Sequence, residues 1–228
     1  MSSEMPPSGG DPAVASKLQI LATEHWSLLA TRSLTYTESL GRVNMFLGIL
    51  SGAVIALALV AQADHFGPTF IAVAIFMLAV VFFVGVATVR RLLMLNRDDY
   101  VWVVGMNRLR HAYLELHPEL EPNFVTSPHD DLAGALQTLG LTPSSAPSLG
   151  TVFHGLVTLP GTVSVIAASV GAAIAGLAAI GFGAPAYVVL LAGLAAFAAT
   201  LGMMMWSARR SFHGYGPALE SRFPTPKP

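Results

Sequence analysis

The stretch that decides the fold is residues 43–89, VNMFLGILSGAVIALALVAQADHFGPTFIAVAIFMLAVVFFVGVATV. It contains two apolar runs, 43–63 and 70–89, and each has about the 20 residues that a helix needs to cross a bilayer. Neither run contains a charged residue. The polar turn between them, residues 62–68, is too short for anything but an antiparallel connection. The stretch therefore predicts a transmembrane hairpin.

A second apolar pair lies near the C-terminus. Its first run covers 156–180, or begins at Pro160 if that proline marks the true start, and its second run covers 184–206. The short turn Gly-Phe-Gly-Ala-Pro at 181–185 joins them. Two such hairpins predict an all-α, integral membrane four-helix bundle with amphipathic cytosolic helices.

The remaining segments flank and connect the two hairpins. Pro, Gly and Ser dominate the first ten residues, which contain neither a basic nor an apolar region, so we expect disorder and no cleavable signal peptide there. Ser127 with Pro128 predicts the start of a short helix, with Asp130 as an acid of its first turn. The predicted organisation is a disordered N-terminus (1–10), a cytosolic or interfacial helix (11–42), transmembrane hairpin 1 (43–89), a cytosolic helical segment with a Pro- and Ser-rich linker (90–150), transmembrane hairpin 2 (151–206) and a largely disordered cytosolic tail (207–228).

The basic residues predict the orientation. With two hairpins, all 12 Lys and Arg residues lie on one side, and neither short turn contains any. The positive-inside rule then places both termini and the central segment in the cytoplasm, in a multi-pass protein of the cell inner (plasma) membrane.

Composition and the absence of known motifs argue against an enzyme and against a metal or cofactor site. Charged residues make up only 11% of the chain and hydrophobic residues 54%, which is typical of integral membrane proteins. There is no cysteine, the spans contain no Asp, Glu, Lys, Arg or His once His154 is placed at the interface, and no nucleotide or hydrolase motif is present. His111, His117 and His129 could suggest a metal site, but a spacing of six puts the first two on different helix faces. We expect no enzyme activity, no metal, no cofactor and no nucleic-acid partner.

Small residues mark the helix faces expected to pack closely. In lipid, helices associate through close backbone contact at such positions rather than through the hydrophobic effect. The Phe-rich second span has no such ridge and is expected to face lipid. Asn44 is open to two interpretations, an interhelical or interfacial hydrogen bond or a polar ring at the mouth of a pore. The candidate packing or pore-facing residues are Asn44, Gly48, Gly52 and Ala56 of the first span and Ser164, Ala168, Ala172 and Gly176 of the third.

Several stretches resemble known membrane proteins. LATEHWSLLATRS (21–33), MFLGILSGAV (45–54), GMNRLRHAYLE (105–115) and PNFVT (122–126) resemble a group of four-span integral membrane proteins of high-GC bacteria that carry no assigned activity. More distantly, the order of helix, two-span hairpin and protruding helix in residues 15–117 is similar to the SLATT membrane family. That resemblance implies a pore-forming effector.

Two functions are compatible with these patterns. The first is a non-enzymatic, oligomeric channel or pore whose cytosolic helices sense a signal or direct assembly. The alternative is a membrane scaffold or accessory subunit that docks another membrane protein. The expected partners are accordingly the lipid bilayer and either further copies of the chain or another membrane protein.

The face assignment gives a first prediction. Gly52→Leu should disrupt assembly, because a large side chain separates helices that pack through small residues, whereas Phe76→Leu on the second span should not. Size-exclusion chromatography of the two purified variants measures this. Equal tolerance of both substitutions would show that the faces are assigned wrongly.

Overall fold

The described residues form an all-α fold, as predicted. The computed structural model describes residues 11–140, 155–213 and 220–226. The predictions for residues 1–10 and for the linker at 142–150 lie outside the described residues. The helices are α1 (Pro12–Asp64), α2 (Pro68–Leu116), a 3₁₀ helix (Pro118–Asn123), α3 (Leu132–Thr138), α4 (Leu159–Gly181) and α5 (Ala186–His213).

Four of these helices, α1, α2, α4 and α5, are long and apolar enough to cross a membrane, and they pack together. The chain divides into two compact units. What we term the polar unit comprises Met1–Leu34, Asp99–Pro143 and Leu219–Pro228, and the apolar unit comprises Thr35–Asp98 and Ser144–Ala218.

Helices α1 and α2 each merge two predicted segments. The helix predicted over 11–42 continues without a break into the first span, and the second span continues to Leu116, just before the helix-ending Pro118. At the start of α1 the Asp11 carboxylate accepts the Ala13 N–H at 2.9 Å, which satisfies one of the free donors of the first turn.

The turn between α1 and α2 is shorter than the predicted 62–68. Only residues 65–67 lie outside the helices, and His65 and Phe66 adopt positive φ angles of 47° and 61°. L-residues with side chains rarely adopt this conformation. Asp64 compensates, because its carboxylate accepts the Phe70 N–H at 2.6 Å and so caps the first turn of α2.

The core of the apolar unit corrects the prediction that the second span mainly faces lipid. In the most apolar 18-residue window of each helix, 28% of residues are buried in α2 but only 11% in α1. Phe76 and Phe83 are exposed as expected, while Phe70 is buried. The residues that form the core are Phe46 and Ala53 of α1, Leu78, Val81, Val89, Leu92, Leu93 and Leu95 of α2, Val163, Ala167 and Val170 of α4, and Met204 of α5.

Gly85 explains why α2 can occupy this inner position. A Cβ placed on Gly85 would lie 3.0 Å from both Ala167 Cβ and Phe46 Cε2, so a side chain here would push α4 or the Phe46 ring away by a few tenths of an ångström. The sequence offers a single small residue here rather than a ridge, and the spacing rule therefore overlooked it.

The second hairpin begins at the later of the two predicted starts. Thr158 is the N-cap of α4, and its hydroxyl accepts the Gly161 N–H at 3.3 Å, with Pro160 in the first turn. Helix α5 extends beyond the predicted end at Trp206 to His213.

In the polar unit, the ends of α1 and α2 that lie outside the apolar runs pack against each other. Leu28 lies against Gly105, and the Arg32 guanidinium forms an ion pair with Asp99 at 2.6 Å. Val103 and Val104 of α2 bury Ala135 of α3. The part of α2 that follows the second apolar run thus packs on the N-terminal part of α1.

The start of the short helix α3 was predicted wrongly. It begins at Leu132 with Asp131 as its N-cap, not at Ser127, because the Asp131 carboxylate accepts the Gly134 N–H at 2.8 Å. Asp130 precedes the helix, and its carboxylate instead accepts hydrogen bonds from residues 221–223 near the C-terminus.

A matched pair of glycine substitutions tests the packing at Gly85. Gly85→Leu should destabilise the fold by about 1–3 kcal/mol or more, because overpacking a tight core forces side chains and backbone to shift. Gly202→Leu should cost little, because nothing lies within 4 Å of the Cβ position there. Thermal unfolding in detergent measures both, and equal midpoints would contradict the assignment of Gly85 to the core.

Candidate functional site

The predicted stripe on α1 faces away from the chain's own core. Asn44, Gly48 and Gly52 are exposed, and nothing lies within 4 Å of a Cβ placed on either glycine. The opposite face of the helix, with Phe46 and Ala53, is the buried one. Within the described residues, the stripe therefore does not pack against another helix of the same chain, and Asn44 makes no hydrogen bond there. Ala56, the last member of the stripe, is half-buried.

The predicted ridge on α4, in contrast, packs inside the chain. Ser164 and Ala168 are buried, and the Ser164 hydroxyl donates to the Pro160 carbonyl at 2.7 Å, so it is satisfied by its own helix. Ala172 and Gly176 are half-buried, with the Cβ position of Gly176 3.7 Å from Val189 of α5. The eight predicted residues thus belong to two separate surfaces.

Beside that ridge, α4 and α5 form a shallow groove that is open to the outside. Its lining is almost wholly apolar, and Ser169 donates its hydroxyl to the Val165 carbonyl of its own helix. The lining residues are Ser169, Ala172, Gly176, Val189, Leu190, Gly193, Leu194 and Phe197.

A second candidate site lies in the polar unit, where Asp130 holds the C-terminal segment Glu220 to Pro226. Its side chain is fully buried. One oxygen, Oδ2, accepts from Arg108 Nε at 2.7 Å and from the Arg222 N–H at 2.9 Å. The other, Oδ1, accepts from the Ser221 hydroxyl and from the Phe223 N–H, both at 2.7 Å.

Neighbouring residues extend this contact in both directions along the segment. The Asp130 N–H donates to the Phe223 carbonyl at 3.1 Å, and Arg108 Nη2 donates to the Glu220 carbonyl at 2.7 Å. Asp131 accepts from the Thr225 N–H at 3.0 Å and from its hydroxyl at 2.8 Å. We call the surface formed by Arg108, His111, Asp130 and Asp131 the tail cleft.

Aromatic stacking completes the cleft. The rings of His111 and Phe223 are stacked, with centroids 3.8 Å apart and an angle of 22° between their planes. Residues 221, 223 and 225 are half-buried while 220, 222, 224 and 226 are exposed, which is the period of two of an extended chain lying on a surface. The prediction of a largely disordered tail is therefore wrong for residues 220–226.

The charge of Asp130 is stabilised by these donors. Burial alone would raise the pKa of its carboxyl, but the hydrogen bonds from Arg222, Ser221, Arg108 and Phe223 outweigh burial and hold the pKa well below its usual range. A depressed pKa means that the bound carboxylate stabilises docking above the ordinary Asp pKa of about 3.9, and that this contribution is lost as the pH falls further.

A buried network fixes the loop that presents Asp130. Asn107 is fully buried, and its amide donates to the His129 carbonyl at 2.7 Å. Its Oδ1 accepts from Arg110 Nη1 at 2.7 Å and from the Thr138 hydroxyl at 2.9 Å. Arg110 is 8% exposed, and both burial and the nearby Arg32 charge lower the pKa of its guanidinium.

The histidines do not converge on a common point. His117 lies 2.9 Å from Glu119, and His111 stacks on Phe223. Among the described residues, no group of three or more His, Asp or Glu side chains is placed to hold a metal ion.

At the edge of the apolar unit, one carboxylate binds the two arginines that flank the first hairpin. Glu38 accepts from Arg42 Nε at 2.8 Å and from Arg91 Nε and Nη2 at 2.9 and 3.0 Å. The Arg91 and Arg42 hydrogen bonds lower the pKa of Glu38 to about 2. This pairing sets the register of α1 against α2.

Comparisons with protein-family models, with curated proteins and with solved structures found no match. The resemblances to known membrane proteins therefore stay predictions.

Substituting the central carboxylate tests the tail cleft. Asp130→Asn removes the charge that binds four donors, and hydrogen bonds to charged groups contribute about 1.5–3 kcal/mol. We expect trypsin to cut after Arg222 at least about tenfold faster than in the parent protein, as followed by mass spectrometry of the released C-terminal peptide. Glu220→Gln is the control, because Glu220 contacts the cleft through its main-chain carbonyl. An unchanged rate in Asp130→Asn would show that Asp130 does not hold the segment.

Proposed function

We propose that the chain is a non-enzymatic, multi-pass protein of the inner (plasma) membrane, with both termini in the cytoplasm, that assembles into an oligomeric channel or pore. The polar unit would then lie in the cytoplasm, where its helices direct assembly or sense a signal.

The observation that carries this proposal is the exposed stripe on α1. A ridge of small residues that allows close backbone approach is expected at a helix interface in lipid. On α1 the ridge of Gly48 and Gly52, with Asn44 one turn away, meets no other helix in the part of the chain that the structure describes. A second copy is the partner that would bury it and give the Asn44 amide a hydrogen-bond partner.

The filled centre of the bundle supports a conducting path that runs between copies rather than through the middle of one chain. Phe46, Val81 and Val163 are each no more than 1% exposed and belong to one cluster of buried apolar side chains. The buried hydroxyls of Thr88 and Ser164 donate to carbonyls of their own helices. The spans also contain no charged residue. A conducting path would thus be lined by polar groups that face outward from each chain, such as Asn44 and Ser51.

A scaffold is the second candidate, favoured by the second hairpin. Only 6% of the apolar window of α5 is buried, the lowest fraction of the four spans, and the apolar groove between α4 and α5 is open. A transmembrane helix of another protein would fit such a surface through van der Waals contact.

A flux assay in liposomes tests the channel. Purified oligomer reconstituted into vesicles should release a trapped dye or ion, Gly52→Leu should lose both the oligomer and the flux, and Phe76→Leu should retain both. Absence of flux from a reconstituted oligomer would contradict the proposal of a channel. Native mass spectrometry distinguishes the scaffold, which predicts one copy of this chain in a stable complex with a different membrane protein.

A further inference from the structure

The tail cleft has the properties of a peptide-binding site. Five of its hydrogen bonds to the segment involve main-chain groups, those of Glu220, Arg222, Thr225 and, through both its N–H and its carbonyl, Phe223. Proteins that bind extended peptides use main-chain hydrogen bonds for affinity and contacts to alternate side chains for specificity. The cleft does both, because the inward residues Ser221, Phe223 and Thr225 are those whose side chains it contacts.

The segment is also attached in a reversible way. None of its described residues belongs to either apolar cluster of the structure. Its contacts are hydrogen bonds, which water can replace, and one ring stack on the half-exposed His111. The receptor side, in contrast, is fixed independently of the segment. Asn107 binds the His129 carbonyl just before Asp130, and Asp131 caps α3.

We propose that the tail cleft is an exchangeable peptide-binding site for the pattern hydroxyl, any residue, aromatic, any residue, hydroxyl, and that a second copy of this chain supplies the competing ligand. Every copy carries the same segment, and exchange of an identical element between protomers needs no new contact chemistry. Neighbouring copies also raise the effective concentration of the segment at each cleft.

This inference is independent of conduction. Exchange requires only that two copies meet, so a chain that fails the flux assay can still exchange segments, and a conducting oligomer can keep each segment on its own cleft.

Cross-linking tests the site cleanly, because the chain contains no native cysteine. Leu132 and Pro226 are exposed and directly follow the hydrogen-bonded pair Asp131 and Thr225, so cysteines there leave the described contacts of the cleft in place. In the full-length double variant Leu132→Cys with Pro226→Cys, a short bis-maleimide should link the two positions within one chain. An excess of a synthetic peptide of residues 219–228 should suppress this link, and a scrambled peptide should not. Adding Asp130→Asn should also abolish the link.

Exchange between copies is measured with two differently tagged chains produced together, one with Leu132→Cys and one with Pro226→Cys. We expect a product that carries both tags. A pair in which the second chain instead carries Val125→Cys, at a position that is 98% exposed, gives the background from random collision. A link within the double variant that resists the peptide, or a two-tag product no stronger than this background, would overturn the proposal.

Discussion

The close approach at Gly85 is the contact on which the apolar unit depends. In lipid there is no hydrophobic force that drives one apolar helix onto another, so the helices are held by the van der Waals contact they can reach. Gly85 lets three elements meet at one point, because Ala167 of α4 and the Phe46 ring of α1 both lie 3.0 Å from the place where a Cβ would stand. Helices α2 and α4, which meet at this point, have the highest buried fraction of the four apolar windows, 28% each, and the opposite face of α1 is uncovered among the described residues.

The sequence predicts the spans well and their faces poorly. Charge-free runs of the right length identified all four apolar helices, and Pro118 marked the end of α2, because the cost of burying charge in lipid and the geometry of proline are local properties. Which face of a span turns inward is not local, since lipid and core are equally apolar. The Gly48 and Gly52 ridge was recognised, but nothing in its spacing says whether its partner is in the same chain.

The tail cleft escaped prediction for a different reason. Asp130 and Asp131 look like ordinary acids at the start of a helix, and only Asp131 fills that role. The C-terminal segment is rich in Pro and polar residues, a composition that usually indicates disorder. Its alternation of Ser221, Phe223 and Thr225 was the available signal. Its significance depends on a binding surface about 90 residues earlier in the chain. Asp130 of that surface bonds to residues that lie 91 to 93 positions later.

The capping role of Asp64 has a consequence for selectivity. Asp64 is the only charged residue in the two turns, 62–68 and 181–185, and its carboxylate is committed to the main chain of α2 at Phe70. Channels that select by the sign of charge place rings of ionised side chains at the entrance. In the proposed pore, each copy would place one Asp64 at that end, and the hydrogen bond from the Phe70 N–H orients the carboxylate without removing its charge. Together these carboxylates would form such a ring, which favours cations over anions of similar size.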